Sequence, residues 1–298
     1  DGSFLNLPIN YSVVTNIDKE HLDHYKNFKN LKEAFTRFIN RTPTFGKCFL
    51  CADDKELRKI VFKEKNRNFL TYGFNKKANY QILNTIYKKK YSIFDLKIMT
   101  STSYIKIIRK IRVNLIGSHN ILNSVAAIAL CSYIGVGLKI IKKSLKEFAG
   151  IQRRMTKVLK FNGNDFFDDY AHHPTEIVEV LNSVKDVYKN KEIIVVFQPH
   201  RISRLNDLKK KFTKSFKKCN TVVLCPVYTA GEKLKLKFNY KKFAREIVKN
   251  SRVKLFMVSG EEQLYKFISQ YVYGNKIVIG MGAGSISNWI RNLKYKYN

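Results

Sequence analysis

Residues 165–174 read Asp-Phe-Phe-Asp-Asp-Tyr-Ala-His-His-Pro. In this stretch two adjacent carboxylates and two adjacent imidazoles follow an apolar run, and Pro174 then opens a predicted helix. An open α/β sheet places its ligands at the carboxyl ends of its strands, where helices begin. The stretch therefore predicts a sheet of this kind with a polar site at its edge.

A second predicted strand ends in the same way. It reads Val195-Val-Phe-Gln-Pro-His-Arg201, and Arg204 follows one turn later. Arg201 and Arg204 are three residues apart, so on a helix they share a face and can present two guanidinium groups to one carboxylate. Acids, histidines and arginines at two strand ends indicate a site that handles phosphate or carboxylate groups.

Apolar runs alternate with helical stretches throughout residues 150–298. This alternation predicts parallel βαβ units with right-handed crossovers, and so a Rossmann-like domain with a mostly parallel sheet. The predicted strands are 165–170, 193–197, 222–228, 254–258 and 276–281, and the predicted helices are 175–188, 207–217, 240–249, 261–271 and one from about 285.

Residues 1–149 mix strands and helices without a clean repeat, and they form a separate predicted α/β domain. We expect a boundary near 149–151, where Gly150 can cap the preceding helix. The predicted strands are 11–17, 45–52 and 61–72, followed by a small antiparallel sheet between about 78 and 115; the predicted helices are 31–39, 121–133 and 138–148.

The composition indicates a folded protein and argues against several other classes of protein. The 298 residues suffice for two domains, and 56 basic against 23 acidic residues give a net charge of +33. Such an excess can indicate a polyanion partner, but the lysines are spread along the whole chain, so we expect solvated faces and no specific nucleic acid. The longest apolar run, 125–138, is shorter than the ~20 residues of a membrane span, and five cysteines without a pairing pattern fit a reducing cytoplasm.

Two segments carry residues that can hold a nucleotide. In Gly117-Ser-His-Asn-Ile-Leu-Asn123, the side chains of His119, Asn120 and Asn123 lie near a predicted helix start, where they can contact a base. Helix capping by Ser118 or Asn120 is an equally good explanation. Arg153-Arg154 can clamp a terminal phosphate, or it can be a solvated basic pair.

The acidic residues can serve in more than one kind of site. Asp168 or Asp169, at a strand end, can accept hydrogen bonds from ribose hydroxyls. A metal site formed by the same stretch is less consistent, because neighbouring strand residues point to opposite faces. Near the first strand, Glu20, His21 and Asp23 can contribute to a magnesium site beside phosphates, or they can belong to a solvated helix start.

Together these segments resemble the Mur ligase family, which comprises ATP-dependent amide-forming enzymes of peptidoglycan synthesis, and within it the alanine-adding branch. They cover nearly the whole chain in the family's order: Asp1-Gly-Ser-Phe-Leu5, Thr15-Asn-Ile17, His21-Leu-Asp23, Tyr72-Gly-Phe74, Gly117 to Asn123, Arg153-Arg154, Asp168-Asp-Tyr-Ala-His-His-Pro174, Phe197-Gln-Pro-His-Arg-Ile-Ser-Arg204 and Val227-Tyr-Thr-Ala-Gly-Glu232.

The resemblance implies a reaction and a fold. ATP phosphorylates the lactyl carboxylate of UDP-N-acetylmuramate, the amine of L-alanine attacks the acyl phosphate, and phosphate leaves. Mg²⁺ and cationic side chains stabilise the charge on the transferred group. The implied architecture is a partial central ATPase-type α/β domain at 1–149 and a Rossmann-like ligase domain at 150–298. The implied setting is the cytoplasm, in cell-wall synthesis and hence cell shape and division.

The resemblance also assigns roles to individual residues. It implies that Asn120 and Asn123 contact adenine with His119 nearby, that Asp169 holds the ribose, that Arg154 reaches the γ-phosphate and that His21 helps to bind Mg²⁺. It further implies that Tyr170, His172, Arg201 and Arg204 form the pocket for alanine and the muramyl carboxylate. Arg154, His172, Arg201 and Arg204 are the residues to which it gives catalytic roles.

The chain also departs from the family pattern. It has no Gly-Lys-Thr phosphate-binding loop, since Gly46-Lys47-Cys48 is not one, and Glu20 stands where the family usually has Asp. The N-terminal domain that grips the UDP moiety has no counterpart in these residues. We therefore expect the C-terminal two-thirds of a ligase, inactive alone. A non-catalytic nucleotide-binding remnant is the first alternative, and a polyanion-binding protein, supported only by net charge, is the second.

Overall fold

A computed structural model describes residues 2–63, 68–99, 105–232 and 238–297. The chain divides into two compact units, Asp1–Ala149 and Gly150–Asn298. All five cysteines are free thiols, and four of them are buried. Within the described part of the chain, none of the helices has the length and apolar character that a membrane crossing requires.

The first unit contains one six-stranded sheet with the order β1-β2-β3-β4-β5-β6. The strands are β1 (Tyr11–Val14), β2 (Lys47–Cys51), β3 (Phe69–Gly73), β4 (Tyr80–Tyr87), β5 (Ser92–Met99) and β6 (Ile105–Val113). Neighbours from β1 to β4 pair in parallel, and β4, β5 and β6 pair antiparallel. The predicted antiparallel strands therefore exist, but they extend the parallel sheet instead of forming a sheet of their own.

Five α-helices accompany this sheet in the described residues: α1 (Leu22–Tyr25), α2 (Phe28–Asn40), α3 (Lys55–Lys63), α4 (Ser118–Tyr133) and α5 (Leu138–Glu147). On α4 the buried side chains of Ile121, Val125 and Ala129 repeat every four residues and so form one face. This face packs on the strands β1 to β4, and the small Ala129 permits a close approach. The sheet thereby fixes the helix that carries His119, Asn120 and Asn123.

The predicted strand at 61–72 is wrong, because the chain is helical up to Lys63 and β3 begins only at Phe69. The cause is local: the side chain of Asp54 accepts hydrogen bonds from the backbone N–H groups of Glu56 and Leu57, at 3.0 and 2.8 Å. These bonds satisfy the first turn of α3. Leu57, which is fully buried, then lies on the inner face of the helix.

The second unit contains a second six-stranded sheet, with the order β11-β10-β9-β12-β8-β7. Every pair is parallel except β7 with β8, so the prediction of a mostly parallel sheet is confirmed. The strands are β7 (Thr156–Phe161), β8 (Asn164–Asp169), β9 (Glu192–Phe197), β10 (Thr221–Leu224), β11 (Lys254–Met257) and β12 (Lys276–Met281); the helices are α6 (Pro174–Val187), α7 (Ile202–Phe212), α8 (Tyr240–Ser251), α9 (Glu261–Tyr271) and α10 (Ile286–Tyr297).

Burial on both faces explains why β9 is an unbroken apolar run. Alternate strand residues point to opposite sides, so Val195 and Phe197 pack in the core that includes side chains of α6, α7 and α8. Ile194 and Val196 pack in the opposite core with side chains of α9 and α10. A strand with two covered faces gains nothing from polar residues, as parallel sheets generally show.

Sequence analysis missed the edge strand β7. A hairpin joins it to β8 through Asn162 and Gly163, whose φ angles are both positive, at 48° and 78°. An Asn-Gly pair suits a two-residue hairpin turn because both residues tolerate this conformation. That dipeptide was the available signal for the strand.

The position of β12 decides where the polar strand ends meet. The chain returns with β12 between β9 and β8, so that Met281 lies opposite both Phe197 and Asp169. The carboxyl ends of β8, β12 and β9 are therefore direct neighbours. The residues that follow them share one edge of the sheet.

A glycine at the centre of this sheet provides a test of the packing. A Cβ on Gly280 would lie 2.4 Å from Cγ1 of Ile290 on α10. We expect Gly280→Ala to lower the free energy of unfolding by about 1–3 kcal/mol, measured by urea denaturation, because the core must shift. Combining it with Ile290→Ala should cost less than the sum of the two single changes.

Gly260→Ala is the matched control. Nothing lies within 4 Å of its added Cβ, and its φ of 176° is open to any residue. Strict additivity of the Gly280 and Ile290 substitutions would contradict the proposed contact.

Candidate functional site

Six of the side chains singled out from the sequence lie together at the carboxyl edge of the second sheet. Ring and guanidinium contacts link Arg154, Tyr170, His172 and Arg204, the last through His200, while backbone hydrogen bonds attach Asp169 and Arg201 to the same edge. Glu176, His200, Tyr228, Glu232 and Arg153 join the set. We call these eleven residues the edge site.

A row of four rings crosses the edge site. Tyr170 and His172, after β8, have ring centroids 5.1 Å apart, and His172 lies 5.7 Å from His200, which follows β9. His200 stacks on Tyr228, beyond β10, at 5.6 Å and an interplanar angle of 20°. A Cβ on Gly284 would come within 2.5 Å of Tyr228, so the turn after β12 needs a glycine to let the row pass.

Arg153 and Arg154 lie against the first ring of this row. The Arg153 guanidinium lies 4.5 Å from the centre of the Tyr170 ring and donates a hydrogen bond to the carbonyl oxygen of Gly282 at 2.8 Å. The Arg154 guanidinium lies 5.7 Å from the same ring. The residues on both sides of Arg154 have a strained backbone, with φ of 60° at Arg153 and 47° at Met155. This strain indicates that the surrounding structure imposes the turn.

Asp169 is a buried carboxylate that fixes backbone. It is 1% exposed and accepts hydrogen bonds from the N–H groups of Met155 and Ala171, both at 2.8 Å. Burial raises its pKa to about 6, against the opposing effects of the two N–H groups and of Arg154. It thus holds the arginine turn against β8, and its contact with a ribose stays a prediction.

Asp168 points to the other face of the sheet, as strand alternation requires. Its Oδ2 accepts hydrogen bonds from Oγ of Ser287 at 2.6 Å and from Nε of Arg291 at 3.1 Å. Its described partners lie on α10, so Asp168 ties β8 to that helix. The two adjacent acids therefore serve two different layers.

Hydrogen bonds assign the protons of the two histidines in the row. Nδ1 of His172 lies 2.9 Å from the carbonyl oxygen of Tyr170, which can only accept, so this nitrogen carries a proton. Nδ1 of His200 lies 3.3 Å from Nη1 of Arg204, which can only donate, so His200 carries its proton on Nε2. Burial lowers the pKa of His200 to about 4, and Arg204, His172 and Arg201 add to the effect, so its ring is neutral at pH 7.

The helix start that carries Arg201 and Arg204 is held by Tyr228 and Glu232, which lie far along the chain. Arg201 has a φ of 67° at the start of α7, and its N–H donates to the carbonyl oxygen of Tyr228 at 2.9 Å. Glu232 accepts hydrogen bonds from the N–H groups of Ile202 and Ser203, at 2.6 and 3.4 Å, and from the Ser203 hydroxyl. The helix therefore begins at Ile202, five residues before its predicted start at 207.

Glu176 belongs to the edge site, although it was not singled out from the sequence. Its carboxylate accepts hydrogen bonds from the N–H groups of His172 and His173, at 3.0 and 3.2 Å, as the acidic member of a capping box. It also lies 3.6 Å from Nη1 of Arg154. Burial raises the pKa of Glu176, but these N–H groups, His172 and Arg154 together hold it below its ordinary value. The available signal was its position three residues after His173.

In the first unit, the structure places Asn120 and its neighbours at the start of α4. The N-cap residue is Gly117, with φ of 96°, so the proposed capping by Ser118 or Asn120 is wrong. The side-chain amide of Asn120 instead donates to the carbonyl oxygen of Ile116 at 2.8 Å and fixes the approach to the helix. His119 is half-buried and Asn123 is exposed, and their contact with adenine stays a prediction.

His21 is exposed and forms the N-cap of α1, with φ of 54°. The side chain of Asp23 lies outside the part of the chain that is described. Across residues 2–63, 68–99, 105–232 and 238–297, no three side chains of His, Cys, Asp and Glu are grouped so that they could hold a metal ion. Mg²⁺ beside phosphates is usually held by one or two carboxylates together with phosphate oxygens and water, and not by a cluster of three protein ligands. The role given to His21 stays a prediction.

The arrangement in the second unit suits anionic ligands. Four guanidinium groups line the edge site, while its acids are engaged by backbone N–H groups and His200 is neutral. Guanidinium groups bind carboxylates and phosphates through charge-assisted hydrogen bonds. The edge site can therefore bind a carboxylate and a phosphate beside a row of aromatic rings.

Comparisons with known proteins give a consistent result. A family profile described as "Mur ligase middle domain" matches residues 3–131, and one described as "Mur ligase, glutamate ligase domain" matches residues 153–284. The chain is 56% identical to the UDP-N-acetylmuramate–L-alanine ligase of Pelagibacter ubique, over 98% of the chain and 63% of that protein. The enzyme of that name from Bartonella bacilliformis is 37% identical over 97% and 61%.

A solved structure agrees with these relatives. The UDP-N-acetylmuramate-alanine ligase MurC of Thermotoga maritima superposes with a TM-score of 0.77 and 26% identity, over 100% of this chain and 61% of that one. The chain spans about three fifths of the length of the curated relatives that it matches.

The strained backbone at Arg201 predicts an unusual order of stability. We expect Arg201→Gly to be more stable to urea than Arg201→Ala by about 1 kcal/mol, because glycine adopts positive φ without steric cost. At Arg204, inside α7, the order should reverse, since alanine is favoured in a helix. An Arg201→Ala variant at least as stable as Arg201→Gly would contradict the strained conformation.

The pKa of His200 predicts a pH effect. The unfolded chain binds a proton near pH 6.5 and the folded protein only near about 4, so the stability that the neutral ring contributes is lost as pH falls across this window. In urea denaturation, we expect wild type to lose stability relative to His200→Phe from about pH 6.5 down to about pH 4. Asp169 titrates in both proteins and cancels in the difference, and a pH-independent difference would contradict the assignment.

Proposed function

The chain belongs to the Mur ligase family, and we propose that it is part of an ATP-dependent ligase that joins L-alanine to UDP-N-acetylmuramate through an acyl phosphate. The observation that supports this most directly is the gathering of Tyr170, His172, Arg201 and Arg204 at one sheet edge. The identity of 56% to a ligase of that name supports the same reaction. We expect the reaction to take place in the cytoplasm and to serve cell-wall synthesis.

The second unit offers a binding place for the amino acid. Arg201 and Arg204, at the start of α7, would bind the alanine carboxylate, because two guanidinium groups make charge-assisted hydrogen bonds to one carboxylate. Glu232 and Tyr228 hold the backbone from which these side chains project. The bound amine would lie beside the rings of the row.

His172 would accept the proton of that amine. An ammonium group must lose a proton before it attacks an acyl phosphate. Nδ1 of His172 donates to the carbonyl oxygen of Tyr170, so Nε2 is the ring nitrogen that would take up and release the proton. The carbonyl oxygen of Tyr170 keeps the ring in this tautomer.

The other arginine pair, Arg153 and Arg154, would serve the phosphate side of the reaction. When bound, ATP supplies the phosphoryl group that activates the lactyl carboxylate of UDP-N-acetylmuramate. Arg154 would neutralise charge on that group, and its side chain projects from a backbone turn that Asp169 fixes. For the remaining assignments we propose the roles implied by family resemblance: adenine contact by His119, Asn120 and Asn123, ribose contact by Asp169, and a contribution of His21 to Mg²⁺ binding.

The complete gene product provides the test. We expect release of phosphate from ATP that depends on both L-alanine and UDP-N-acetylmuramate. Arg204→Ala should raise the KM for L-alanine by roughly 10- to 100-fold, since a charge-assisted hydrogen bond contributes about 1.5–3 kcal/mol, and should leave the KM for ATP nearly unchanged. His172→Ala should also impair the alanine side selectively.

Arg245→Ala, an exposed residue of α8, is the matched control and should leave both KM values unchanged. Equal losses for ATP and alanine in Arg204→Ala would contradict the pocket assignment. Nucleotide binding without any alanine-dependent phosphate release would instead identify a non-catalytic nucleotide-binding protein.

A further inference from the structure

Glu176 lies between Arg154, which is proposed to bind phosphate, and His172, which is proposed to act on the amino acid. Its Oε1 lies 3.6 Å from Nη1 of Arg154, and its Oε2 lies 3.5 Å from Nδ1 of His172. The proposed function gives Arg154 to the phosphate and His172 to the amino acid. One carboxylate therefore contacts a residue from each half.

Glu176 provides one of the two described contacts of the Arg154 guanidinium. The Arg154 side chain is 47% exposed, and its other described contact is the face of Tyr170. A long, half-exposed arginine loses about 2 kcal/mol of rotamer freedom when it is held in one position. The backbone at Arg154 is already fixed by Asp169, so the direction of its side chain is what Glu176 adds.

Helix capping alone does not explain a charged residue here. A capping box works equally well with Glu or Gln at this position, because both supply an oxygen that accepts the N–H groups. The contact with Arg154 uses the other oxygen, Oε1, and a glutamine that keeps its oxygen in the cap would present an NH₂ group to the guanidinium instead. Glutamate and glutamine at position 176 therefore separate the two roles.

We propose that Glu176 is a positioning residue that joins Arg154 and His172 into one unit, so that a single carboxylate sets the phosphate-binding and amino-acid-binding side chains together. This inference rests on the proposed function. It assigns no contact between Glu176 and a substrate. It adds to the family resemblance, which gave no role to this residue.

The test is a set of variants of the complete gene product, with KM values for ATP and L-alanine measured by phosphate release. Glu176→Gln should raise both KM values by about three- to tenfold and shift the melting temperature little, because the cap is kept. In an Arg154→Met background, the same substitution should no longer change the KM for ATP but should still raise that for L-alanine. In a His172→Asn background, the pattern should reverse.

Glu262→Gln is the matched control, since it removes an exposed acid from the first turn of α9, and it should change neither KM. A merely structural Glu176 would give losses that add in every background, together with a lowered melting temperature, and this would overturn the proposal. So would an unchanged Glu176→Gln enzyme.

Binding of ATP measured by titration calorimetry separates this inference from the proposed function. A protein that binds ATP but releases no phosphate would overturn the proposed function. The positioning role would then be decided by a double-mutant cycle of Arg154 and Glu176, with the affinity for ATP as the measured quantity. A protein that binds neither ATP nor L-alanine would overturn both the proposed function and the positioning role.

Discussion

Three carboxylates hold the edge site by accepting hydrogen bonds from backbone N–H groups. Asp169 binds the N–H groups of Met155 and Ala171, Glu176 binds those of His172 and His173, and Glu232 binds those of Ile202 and Ser203. Each acid thus fixes the segment from which arginine or histidine side chains project. The four arginines of the edge site outnumber these three acids, so its net charge is positive. The acids fix the backbone, and their negative charges also offset the mutual repulsion of the arginines.

These interactions depend in turn on the order of the strands. The chain places β12 between β8 and β9, and parallel pairing then fixes the relative heights of Asp169, Met281 and Phe197. Glycines make this close approach possible: a Cβ on Gly282 would lie 2.7 Å from the carbonyl oxygen of Gln198. The Gln198 side chain accepts the N–H of Ile286 and so anchors the start of α10. Main-chain pairing and this packing therefore determine where the ring row can run.

Much of this arrangement could be predicted from local patterns, and the failures have physical causes. Apolar runs of five to seven residues between helical stretches predicted the parallel sheet, and the polar residues after them predicted the site. The α7 start was missed because its cap, Glu232, lies thirty residues from Ile202. The helix at 55–63 was not predicted, and its last three residues fell in the predicted strand at 61–72, because the stabilising contact of Asp54 is a side-chain bond, which no periodicity reveals. Glu176 was passed over because its nearness to Arg154 depends on the turn at 153–155.

The sequence by itself determined the types of residue at the strand ends, the period of the apolar runs and the family resemblance, because these depend on chemistry within a few positions of the chain. Only the tertiary structure decided which nitrogen of His172 and of His200 carries the proton, why the pKa of Asp169 rises and that of His200 falls, and which acid serves which arginine. Those properties arise from burial and from distances between segments far apart in the chain. They exist only once the strands have paired.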